Sequence, residues 1–187
     1  MSRQEIKLTA PAGVLRWVQL YRLYLKAFPP SERKPFSIIA KRHRSGKNDL
    51  WCLERDGKFL GFAAMVNAEQ TVLLDYLAVE PRLRGQGIGT QALAKLKETY
   101  PRQGFFMEIE SPFEPGVDQI QRQKRKQFYL HSDMKPMKVM ADVFGVKMEL
   151  LGWNCCMDYE RYHQFYYENL SPWAAEHVTQ EDYPEGK

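Results

Sequence analysis

Near the start of the chain Val14, Leu15, Val18, Tyr21, Leu25 and Phe28 recur at helical spacing until Pro29-Pro30 ends the run, which predicts a first helix. A shorter helix is expected from Phe36 to Arg44. The pattern then changes to strand, with Leu50 to Arg55, the turn pair Asp56-Gly57 and Lys58 to Val66 forming a hairpin. Thr71 to Val79 is a largely apolar strand that contains Asp75 and leads directly into the run Glu80-Pro81-Arg82-Leu83-Arg84-Gly85-Gln86-Gly87-Ile88-Gly89. Ala92, Leu93, Leu96 and Tyr100 then mark a helix closed by Pro101 and Gly104. Phe105 to Glu110 reads as another strand, followed by a loop holding Pro112, Pro115 and Gly116. A polar helix from Val117 to about His131 carries the basic run Arg122, Lys124, Arg125, Lys126 and finishes at Phe128-Tyr129. Short apolar strands fill Pro136 to Trp153, interrupted by Gly145 and Gly152, and Asp158 to Leu170 predicts a tyrosine-rich helix. From Ser171 to Lys187 the chain is polar enough to be a loosely held tail, so the expected organisation is one domain over residues 1–170 and a tail over 171–187.

Composition narrows the class. The 187 residues are 44% hydrophobic and 27% charged, the balance of a soluble globular protein, and no apolar run approaches the roughly 20 residues that cross a bilayer. The start lacks the apolar stretch of a secretory signal, so a cytoplasmic location is expected. Cys52, Cys155 and Cys156 have no disulfide spacing and read as reduced thiols. His43, His131, His163 and His177 show no metal-ligand spacing, and no metal is expected. A net charge of +4 is too small to require nucleic acid.

The candidate chemistry lies where the Thr71–Val79 strand meets its glycines. A strand, a glycine-rich turn and a helix N-terminus together hold phosphate, because glycine lets backbone N–H groups turn inward and the helix adds its positive end. A Walker A loop would need a lysine before Ser or Thr, whereas Gly89-Thr90 has none. Gly87-Ile88-Gly89-Thr90-Gln91-Ala92 fits the dinucleotide pattern G-x-G-x-x-A, and Glu108 and Glu110 lie about 20 residues on, but the tight upstream hairpin argues against a parallel dinucleotide fold. Arg84-Gly85-Gln86-Gly87-Ile88-Gly89 fits R/Q-x-x-G-x-G/A, which resembles the pyrophosphate loop of the Gcn5-related N-acetyltransferases (GNAT). The order of elements from Val14 to Trp153 is similar to that family's as well.

The resemblance implies the acyl-CoA N-acyltransferase fold, of the mixed α/β (α+β) class, with a mostly antiparallel central sheet flanked by helices. It implies that backbone N–H groups of Arg84, Gly85, Gln86, Gly87, Ile88, Gly89 and Thr90 hold the pyrophosphate of acetyl-CoA, the cosubstrate. Main-chain groups of Leu77, Ala78 and Val79 would bind the pantetheine arm and the acetyl carbonyl, where fixed donors stabilise developing negative charge. Tyr129 takes the family's place for the acid that protonates the departing thiolate, although Asp133 and Met134 replace the Gly and aromatic residue that usually follow.

An ammonium acceptor with a pKa of about 10.4 must lose a proton before it attacks, so a carboxylate or a water chain must take it. Glu108 and Glu110 share one face of their strand, and Glu110, nearer its end, is the first candidate; Asp75 and Glu32 follow. The expected activity is N-acetyl transfer to a primary amine by direct attack in a ternary complex. A noncatalytic acyl-CoA sensor and a dinucleotide oxidoreductase remain as alternatives. Expected partners are a small-molecule or peptide amine, with no nucleic acid and no membrane, and a homodimer is allowed.

Overall fold

The structure, a computed structural model, describes residues 5–184. Its strands are β1 (Lys7–Thr9), β2 (Asn48–Arg55), β3 (Lys58–Asn67), β4 (Val72–Val79), β5 (Phe105–Glu110), β6 (Lys135–Val143), β7 (Val146–Trp153) and β8 (Val178–Glu181). Its helices are α1 (Gly13–Ala27), α2 (Phe36–Arg44), α3 (Ile88–Thr99), α4 (Gln119–Leu130), α5 (Tyr159–Asn169) and α6 (Pro172–Ala175). The result is a mixed α/β fold whose strands pair mostly antiparallel. The chain divides into two compact units, one of residues up to Asn67 with Leu74–Tyr100, the other of Ala68–Leu73 with the residues from Pro101 onward. Among the described residues no helix is long and apolar enough to cross a membrane.

In the first unit the Asp56-Gly57 turn, both residues at positive φ (50° and 69°), closes the β2–β3 hairpin in the left-handed geometry that matches strand twist. β1 adds to the outer side of β2, antiparallel, and β3 neighbours β4. Strand alternation then sends side chains two ways. Leu20, Leu23 and Tyr24 of α1 and Ile39 of α2 bury against Leu50, Cys52, Phe62, Ala64, Tyr76 and Ala78. Ile88 and Ala92 of α3 bury against Ile6, Leu53 and Leu60, with Leu77, Val79 and Leu83 packed on that cluster.

Two phenols pin the segment between α1 and α2. The Tyr24 hydroxyl donates to the Lys34 carbonyl (2.8 Å), and that of Tyr76 donates to the Glu32 carbonyl (2.9 Å). At the far end of α3, Tyr100 donates to Asp49 (2.6 Å) and accepts from the Trp51 indole N–H (2.9 Å).

In the second unit Val72 and Leu73 pair parallel with Phe105 and Phe106 of β5, and β5 continues antiparallel through β7, β6 and β8. Phe106 meets Tyr162 and Phe165 of α5 edge-on, at ring distances of 6.0 and 5.0 Å. The segment after Ser171, expected as a loose tail, instead forms α6 and β8. Val178–Glu181 pairs with Met140–Val143, and Ala175 and Val178 are buried. Ladder hydrogen bonds come from the backbone whatever the side chains, so an edge strand needs few apolar residues.

Burial pushes the phenols of Tyr24, Tyr76, Tyr100, Tyr162 and Tyr183 above their ordinary value and the Cys52 thiol up to about 11. The folded chain therefore keeps protons that the unfolded chain releases above roughly pH 9 to 10, and stability that is full below that range falls as pH rises through it. Chemical unfolding should show a lower free energy at pH 10.5 than at pH 8; equal values would contradict this origin.

Candidate functional site

The end of β4 is set by a contact between backbones. A Cβ on Gly61 of β3 would lie 2.2 Å from the Ala78 carbonyl oxygen and 3.0 Å from the Val79 Cα, so no other residue fits without a shift of the main chain. One step on, the Glu80 N–H donates to the Leu60 carbonyl (2.8 Å). A short 3-10 turn, Pro81–Leu83, follows, and Leu83 N–H donates back to Glu80 (2.8 Å).

Leu83 and Ile88 then act as two inward anchors in the α3 cluster, while Arg84, Gly85, Gln86 and Gly87 between them are exposed. Gly85 and Gly87 both adopt φ +75°, the left-handed region that favours glycine. Gly87 is the N-cap of α3, with no side-chain capping bond and no acidic residue in the first turn. The first intrahelical bond runs from Gln91 N–H to the Gly87 carbonyl (3.1 Å), so the N–H groups of Ile88, Gly89 and Thr90 have no acceptor within the helix. A Cβ built on Gly85 meets nothing within 4 Å. Donors without helical acceptors, open space above the turn, the positive helix end and an exposed Arg84 together fit a phosphate group.

Leu77, Ala78 and Val79 are the last three residues of β4. The side chains of Leu77 and Val79 face the α3 cluster and that of Ala78 faces α1 and α2. The first unit thus holds all ten residues expected to bind the cofactor.

The second unit holds the proposed acid and base. Tyr129, near the end of α4, is 7% exposed and packs edge-on against Phe128 (4.9 Å). Burial raises its pKa to about 12, and the Arg125 charge opposes that rise. The phenol is therefore protonated throughout the neutral range. Glu110 at the end of β5 faces Arg122 (3.6 Å), whose guanidinium also donates to the Glu114 carbonyl (2.7 Å). Glu108, on the same strand face, accepts the hydroxyls of Tyr162 (2.6 Å) and Tyr166 (2.7 Å).

The remaining carboxylate candidates lie in the first unit. Asp75 is ion-paired with Lys34 at 2.7 Å, and Glu32 uses its carbonyl to hold Tyr76. The basic run is partly interior: Lys126 lies 2.8 Å from both oxygens of the fully buried Glu149, which also accepts from Tyr183 (2.7 Å).

Sequence reasoning missed Gly61 and the pairings of Lys34 and Arg122, the latter seen only as part of the basic run. Gly61 could have been suspected, since a glycine inside a strand often marks close backbone approach. Lys34 and Arg122, the partners of Asp75 and Glu110, lie 41 and 12 positions away and carry no local signal.

Gly61→Ala should lower stability by about 1 to 3 kcal/mol, because the methyl group would overlap backbone rather than a mobile side chain. Urea unfolding measures it; a change within about 0.5 kcal/mol would show that the strands separate freely.

Known proteins share this fold. No curated protein matches the sequence. The model of the Acetyltransferase (GNAT) family matches residues 17–119, more than half of the chain, and stops short of Tyr129. A GNAT-family protein from Bacteroides thetaiotaomicron superposes with a TM-score of 0.73 at 20% identity, covering 87% of this chain and 96% of its own. A GNAT acetyltransferase from Elizabethkingia anophelis with acetyl-CoA bound gives 0.56 at 16% identity, over 83% of this chain and all of its own. An aminoglycoside 6′-N-acetyltransferase complexed with coenzyme A gives 0.63 at 15% identity, over 79% and 95%. By the family match over residues 17–119, together with the order of its elements, the chain belongs to the Acetyltransferase (GNAT) family.

Proposed function

We propose that the protein transfers an acetyl group from acetyl-CoA to a primary amine of a small molecule or peptide, by direct attack in a ternary complex. The observation that carries this reading is the turn from Arg84 to Thr90, where two left-handed glycines lead into a helix whose first N–H groups lack helical acceptors. Acetyl-CoA supplies an activated acetyl thioester whose thiol is the leaving group. The main chain of residues 84–90 binds its pyrophosphate, and Arg84 adds charge. The main chain of Leu77, Ala78 and Val79 binds the pantetheine arm and directs donors at the acetyl oxygen.

Tyr129 serves as the acid. At a pKa of about 12 it is a weaker acid than the roughly 8.5 of a thiol, so its hydroxyl assists chiefly by donating a hydrogen bond to the departing sulfur, and a proton passed to the thiolate is restored to the phenol from water. Glu110 accepts the amine's proton, with Arg122 holding the carboxylate in place. Among the structural neighbours one is named for an aminoglycoside acceptor and another for a ribosomal protein, which fits a search among cationic and peptide amines.

Isothermal titration should show binding of acetyl-CoA and none of NAD; binding of NAD alone would overturn the reading. Gly87→Val should weaken acetyl-CoA binding by at least about tenfold, since a branched side chain is strained at positive φ and blocks the backbone. Across a panel of polyamines, aminoglycosides, amino acids and peptides, thiol release should reveal an acceptor, and silence would favour an acyl-CoA sensor. With that acceptor, Tyr129→Phe should slow turnover about a hundredfold while leaving acetyl-CoA affinity unchanged; unchanged turnover would remove Tyr129 as the acid.

A further inference from the structure

Helix α1 is apolar on two sides. Leu20, Leu23 and Tyr24 enter the core of the first unit, but Val14, Val18, Tyr21 and Leu25 form a second stripe that is 80%, 39%, 43% and 41% exposed. A helix at a protein surface needs one apolar stripe, and apolar residues on further sides mark burial against something else. The second stripe repeats at intervals of four, three and four residues, the spacing of a helix-on-helix seam. Beside it lies a groove of about 600 Å³, lined by Val14, Trp17, Val18, Tyr21 and Phe36, with Ile38 exposed on the neighbouring helix.

Charge identifies the kind of partner. Residues 13–47 contain nine Lys and Arg but a single acid, Glu32, a net of +8 in a chain whose total is +4. All the exposed charged side chains of α1 and α2, namely Arg22, Lys26, Lys41 and Arg44, are cationic. Such a face attracts negative charge and repels its own copy.

We infer that the outer face of α1 docks an acidic amphipathic helix of another protein, with apolar residues filling the seam and groove and Asp or Glu along its flanks. A second copy of this chain would oppose like charges, and a flat bilayer surface would leave the groove unfilled. The inference is independent of the acetyl-transfer reading.

The test uses two labelled helical peptides of about fifteen residues, the length of α1, with the same leucine seam and either Glu or Lys flanks. Fluorescence anisotropy with the full chain should show binding of the Glu peptide, weakened by added salt, and affinity for the Lys peptide lower by at least about tenfold. Val18→Asp and, separately, Leu25→Ser should each weaken the Glu peptide several-fold while leaving the thermal melting curve in place. The inference is overturned by no binding, by equal affinity for both peptides, or by affinity that neither substitution lowers. It is also overturned if Val18→Asp dissociates a dimer of the wild-type chain in sedimentation, or abolishes wild-type flotation with phosphatidylglycerol vesicles.

Discussion

The approach of Gly61 to Ala78 is the constraint on which the proposed cofactor site depends. With no side chain on Gly61, the β3 backbone lies against the end of β4, and the bond from Glu80 N–H to the Leu60 carbonyl fixes where β4 stops. From that point the chain has little freedom. Leu83 and Ile88 both reach the α3 cluster, and a turn with two left-handed glycines leads from one to the other and into the helix. The exposed donors at the start of α3 follow from that turn, so the proposed anion site traces back to how the strand ends.

The acidic residues tell a different story. Glu108 is held by two phenols, Asp75 by Lys34, and Glu149, fully buried, by Lys126 and Tyr183. These are carboxylates whose burial is made tolerable by donors around them, and removing a donor would strand a buried charge. Glu110 differs in having a guanidinium at 3.6 Å and a side chain still 26% exposed, which leaves room for another group to approach. That difference, more than its place on the strand, is what favours it over Glu108 in the proposed role of proton acceptor.

Much of the fold was legible in the sequence because its signals are local. Asp56-Gly57 specifies its hairpin, Phe36–Arg44 and Phe105–Glu110 begin and end where composition changes, and the glycines of 85–89 announce the turn. The elements that escaped are those stabilised from outside. β1 has three residues, Lys7–Thr9, and β8 reads Val-Thr-Gln-Glu; each is a strand because a neighbour offers an unpaired edge. The site divides the same way. Backbone geometry can be read from glycine spacing, whereas the ion pairs of Asp75 and Glu110 join distant segments and appear only once the chain is folded.

Backbone amide resonances followed during an acetyl-CoA titration probe the turn itself. The amides of Gly85 through Thr90 should show the largest shifts, moving as N–H groups do when they acquire an anionic acceptor. Saturable binding that leaves those amides unmoved would contradict the proposed anion site.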